Sequence, residues 1–79
     1  MSAAGTDGAA DAVREMAEQL LADAEAEVRR LTKQGSMYTR LGFKAASQVV
    51  LANDAALRTA REQVAYAMEL LADAKKAVG

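Results

Sequence analysis

Cysteine, histidine, proline and tryptophan are all missing from the 79-residue chain. Without cysteine there is no disulfide framework, thiolate nucleophile, iron-sulfur cluster or cysteine-type zinc site, and the redox compartment stays open. Without histidine the usual general base is gone, and a helical di-metal site would have only carboxylates to draw on. No residue stands out as a carboxylate or lysine with a shifted pKa, so the expectation is a non-enzyme with no cofactor and no metal. Bulk is also scarce: 20 of the 41 hydrophobic residues are alanine, isoleucine is absent, and leucine, valine and phenylalanine together number 15. Net charge is only -1, which argues against the disorder that low bulk would otherwise suggest. An alanine-rich helical chain of one small domain remains.

Residues 1–10 (MSAAGTDGAA) have no basic n-region and no apolar core, so a disordered leader rather than a signal peptide is expected there. The most apolar window, Ala45 to Ala52, is interrupted by Ser47 and Gln48, and falls far short of the roughly 20 residues of a transmembrane helix. A cytoplasmic location is the default, with leaderless secretion left open.

Residues 11–79 read as one all-α domain. A first helix starts near Asp7 to Asp11, with apolar residues Val13, Met16, Leu20, Val28 and Leu31 spaced by threes and fours and Ala17, Leu21 and Ala24 widening the stripe. Basic residues crowd its end, and Gly35 followed by Ser36 reads as a helix stop and the next N-cap. From Met37 a second stripe runs through Leu41, Ala45, Val49, Ala52, Ala56, Ala60, Val64, Met68 or Ala67, Leu71, Ala74 and Val78. Continuity of that helix is favoured, although Asn53-Asp54 could break it and give three helices. The alanines on this stripe are the residues that let two helices approach closely.

A hairpin turning at residues 35 and 36 would set Leu20 beside Leu51 and leave Val64 to Val78 without a partner in its own chain. An antiparallel helical hairpin completed as a bundle by oligomerisation is therefore the expected architecture, with a second copy or a helical partner protein supplying the rest. The candidate interface is Val13, Met16, Leu20, Val28, Leu31, Leu41, Val49, Val64, Met68 and Leu71. Leu20-Leu21-Ala22-Asp23-Ala24 recurs as Leu70-Leu71-Ala72-Asp73-Ala74, with Ala17 and Ala67 also matching, either by chance or as two equivalent packing surfaces.

The small net charge conceals blocks: -6 over residues 1–27, +5 over 28–53 and zero over 54–79. The basic block supplies a candidate anion-binding set, Arg29, Arg30, Lys33, Arg40 and Lys44, with Tyr38 and Phe43 nearby. Around a hairpin tip these would suit a small nucleic-acid-binding regulator, the alternative to an assembly module, although five cations give only a handful of phosphate contacts.

Length, absence of cysteine and a hairpin with a mid-chain glycine also resemble the secreted helical hairpins of WXG100 type. Gly42 in Arg40-Leu41-Gly42 would be the motif glycine, with Arg40 in the tryptophan position. The tail offers Tyr66-Ala67-Met68-Glu69 rather than the family's spaced tyrosine and acidic signal. Type III needle subunits share the size and hairpin but carry a proline in the turn, which this chain lacks. The WXG100 resemblance implies a secreted, non-enzymatic helical hairpin.

Overall fold

A computed structural model describes residues 2–78, with side chains from residue 8 to residue 76. Two helices account for nearly all of it: α1, Ser2–Arg40, and α2, Gln48–Val78, packed against one another as a hairpin. Residues 2–10, expected as a leader ahead of a helix starting near Asp7 to Asp11, lie within α1, and the side chains of residues 1–7 are outside the described set.

The turn between the helices is built by Gly42. Its φ of 88° lies in the left-handed region that glycine enters without steric cost. Gly42 N–H donates to the Thr39 carbonyl at 3.0 Å and Phe43 N–H to the Tyr38 carbonyl at 3.0 Å, the paired bonds of a Schellman motif. The apolar contact that accompanies such an ending is present as well. The Phe43 ring meets the Tyr38 ring edge-on, with centroids 5.6 Å apart. Residues 43–47 cross over, and Ser47 opens α2: its carbonyl accepts the first helical bond from Leu51 N–H at 2.9 Å.

The turn therefore lies seven residues beyond Gly35-Ser36, and four expectations change with it. The first helix does not stop at Gly35; it continues to Arg40. The second begins at Gln48, not Met37; it runs unbroken through Asn53-Asp54, as favoured, and the described residues hold no third helix. Leu20 does not lie beside Leu51. Most consequentially, residues 64–78 are not left without a partner, because the longer first helix reaches them.

The inward positions of α1 are Ala10, Arg14, Ala17, Leu21, Ala24, Val28, Leu31, Gly35 and Tyr38, each buried or half-buried. Those of α2 are Val50, Asn53, Leu57, Ala60, Val64, Ala67, Leu71 and Ala74. Both series advance by alternating threes and fours, which keeps one seam on the same side of a long helix. Every second inward residue, one per seven along the chain, is small over most of this length, and Ala17, Ala24, Ala60, Ala67 and Ala74 are at most 4% exposed. Ala45, Ala52 and Ala56, expected in the seam, are exposed instead.

One polar residue sits in this seam. Asn53 is 7% exposed, and its Nδ2 donates to the Leu31 carbonyl of α1 at 3.1 Å. A Cβ added at Gly35 would come within 3.0 Å of the same nitrogen. The two residues that read as helix punctuation thus form a single packing contact: Gly35 is the niche and Asn53 the side chain that fills it. Asn53 opposite Leu31 fixes the register. Equal steps of seven along each helix then place Ala60 by Ala24, Ala67 by Ala17 and Ala74 by Ala10, and Gly42 lies midway in sequence between the members of every pair.

Candidate functional site

The seam leaves each helix two flanks, and the flanks differ in chemistry. Arg30, Gln34 and Tyr38 of α1 line a cleft of about 300 Å³ with Val49, Ala52 and Ala56 of α2, which places these residues on one side of the hairpin. Glu25 and Arg29 line a cleft of about 410 Å³ on the opposite side, with Arg61 of α2 and the half-buried Val28 and Val64.

Helical spacing extends both sides. The first carries Val13, Met16, Leu20 and Met37 of α1 and Val49, Tyr66 and Leu70 of α2, with Leu41 at the tip end. The second carries Asp11, Glu15, Glu18, Glu25 and Arg29 facing Arg58, Arg61 and Lys75, and its large apolar residues are Leu51 and Met68. The first side thus carries most of the large exposed apolar residues, with Asp23, Glu27 and Arg30 of α1 and Asp73 of α2 among them, and the second is mainly charged. Val13, Met16, Tyr66 and the tip residues Leu41 and Phe43 are between 42 and 71% exposed, so these side chains stand in solvent without cover.

The apolar residues on the first side are not continuous. Val13, Met16, Leu20, Tyr66 and Leu70 cluster toward the open end, and Met37, Leu41, Phe43 and Val49 cluster at the tip. Between them Arg30 grips Glu27 with two bonds of 2.8 Å, from Nε and Nη2 to the two carboxylate oxygens. Arg30 Nη1 also donates to Gln34 Oε1 at 3.2 Å, and Gln34 Nε2 donates to the Tyr38 hydroxyl. The Arg30 bonds hold the Glu27 carboxyl below the usual glutamate value against an opposing effect of desolvation, with the guanidinium charge adding to the lowering. The same pair raises Arg30.

The sequence-derived interface residues separate into three groups. Leu31 is buried in the seam, where Val28, Val64, Leu71 and part of Leu20 join it, so these residues hold the two helices of one chain together. Val13, Met16, Leu41 and Val49 are exposed on the apolar side or at the tip. Met68 is exposed on the charged side. The cations do not converge at a basic tip, because the turn is not where the basic block suggested. Arg29 and Arg30 lie on opposite sides of α1, Lys33 points away from the seam, and only Arg40 and Lys44 flank the turn.

Sequence reasoning did not separate flanks from seam; it placed Met37 on the second stripe without including it in the candidate interface, and left Tyr66 and Leu70 out of both. The signal was available in the internal echo. Leu20 to Ala24 and Leu70 to Ala74 have the same order of half-buried, exposed and buried residues, and Ala17 and Ala67 are both fully buried. Pairing those two alanines would have given the register directly and put the turn at Gly42.

No helix among the described residues is long and apolar enough to cross a membrane. Comparison with protein-family models, curated proteins and solved structures finds no match to this chain.

Proposed function

We propose that the chain is a non-enzymatic assembly module: a helical hairpin that completes a bundle with a second copy of itself or with a helical partner. The observation that carries this reading is the mismatch between core and surface. Among the described residues no large side chain is fully buried, and the apolar core is alanine plus Leu31, while large apolar side chains lie exposed, most of them along one side and at the tip. Bundles with more than two helices bury such a side against another helix pair, and burial of apolar surface is the main stabilising term in folding and association.

The test is the thermal unfolding midpoint of the chain over about a hundred-fold range of concentration, together with its light-scattering mass. A midpoint that rises with concentration and a mass above 8.3 kDa are expected. A cooperative unfolding transition at a midpoint independent of concentration, with monomer mass throughout, would remove self-assembly as the function.

A further inference from the structure

The apolar side has the layout of a surface that fits its own copy. Leu20 toward the open end and Met37 at the tip are about 26 Å apart along α1 at 1.5 Å per residue, and Glu27 and Arg30 fall on either side of the midpoint. Read from either end, the α1 half of this side is apolar, then charged, then apolar, and Asp73 of α2 stands beside the open-end cluster. Turning a second hairpin end for end and laying it face to face brings the open-end cluster of each copy onto the tip cluster of the other. At the centre, Glu27 of one copy meets Arg30 of the other. We infer that this side is a two-fold, antiparallel dimer interface that makes a four-helix bundle from two copies of the chain. The inference rests on the assembly reading and adds to it the face, the orientation and the identity of the partner.

Three observations favour a second copy as the occupant. The first is charge complementarity: a partner that accepts Glu27 and Arg30 side by side needs the opposite charges in reverse order, and the two-fold copy presents them. The second is surface area. A compact monomer of this mass exposes about 4,600 Å². The chain exposes 5832 Å², so the excess of about 1,200 Å² is larger than the roughly 800 Å² each partner gives to a stable interface. The third is shape. The cleft between Gln34, Tyr38, Val49 and Ala52 lies at the height where the two-fold that pairs Glu27 with Arg30 places the copy's Leu20, while Met16, 71% exposed, comes onto the copy's Leu41, 67% exposed. The charged side has neither the apolar clusters nor the end-to-end balance.

Because the chain has no cysteine, any introduced one is the only thiol. Met16→Cys and Leu41→Cys chains, mixed and oxidised, are expected to give a disulfide joining the two variants. Met16→Cys chains alone and Met68→Cys chains alone are expected to link poorly. In light scattering, Met16→Lys and Val49→Lys should raise the dimer dissociation constant at least about thirty-fold, whereas Met68→Lys on the charged side leaves it unchanged. Circular dichroism checks that each variant keeps its helices. A dimer that survives both apolar-side variants and is lost in Met68→Lys would overturn the inference and leave the assembly reading standing. Efficient Met16-to-Met16 linkage would overturn the antiparallel arrangement, and a wild-type monomer at every concentration removes both readings.

Discussion

Asn53 stands in a seam made otherwise of alanine and aliphatic side chains, and it is only half-satisfied. Its Nδ2 has the Leu31 carbonyl, but its Oδ1 is buried with no hydrogen-bond partner. An orphaned acceptor of this kind costs about 1–3 kcal/mol. What it provides is register: a slip of seven residues would still set alanine against alanine but would carry Asn53 from the Gly35 niche onto Val28 or beyond α1. Gly35 within a helix is itself unfavourable by about 1 kcal/mol relative to alanine. Gly35→Ala is therefore expected to give no gain in the wild-type chain, because the new Cβ displaces Asn53. In an Asn53→Ala background the same change should stabilise by about 1 kcal/mol. Urea unfolding of the four chains measures the coupling, and equal effects in both backgrounds would remove the niche argument. The Glu27 and Arg30 pair adds a second residue-scale expectation. With the folded pKa of Glu27 lowered, whatever stability the pair gives is present above the unfolded glutamate pKa and is lost as pH falls through the lower folded value. Titration of the Glu27 carboxyl by NMR should show a midpoint below that of an unpaired glutamate, and Arg30→Gln should restore it.

At the scale of the element, α1 and α2 show which local signals decide a helix boundary. Helix content and antiparallel pairing were legible, since alanine abundance and three-four spacing depend only on sequence neighbours. The turn was not. Gly35 followed by Ser36, after a basic run, has every local mark of a helix end, yet a tertiary contact with Asn53 accounts for the glycine. Gly42 lies between Leu41 and Phe43 with none of the usual turn residues beside it, and only its left-handed φ and the Tyr38 to Phe43 closure reveal its role. The candidate site followed the same pattern: the apolar residues were legible as a set, but their division between seam and flank depends on a register thirteen residues away from the one the Gly35 turn implies. Gly42→Ala forces a side chain into the left-handed region with open space around it, so the cost is conformational, about 1–2 kcal/mol. Loss of stability by that amount in urea unfolding, with helix content unchanged, is the expected result; an unchanged midpoint would mean that another residue closes the turn.

The whole molecule measures 61 × 15 × 14 Å, with a radius of gyration of 17.7 Å, where a compact chain of this length would have about 12 Å. A rod of this kind meets more hydrodynamic drag than a sphere of equal mass. On a sizing column calibrated with globular standards, the single hairpin should therefore elute as a heavier species than 8.3 kDa. Face-to-face pairing of two such rods thickens the particle without lengthening it, so friction grows much less than mass. Dimerisation should shift the elution volume only slightly while raising the sedimentation coefficient strongly, and velocity sedimentation over a concentration series is the measurement that separates one hairpin from two.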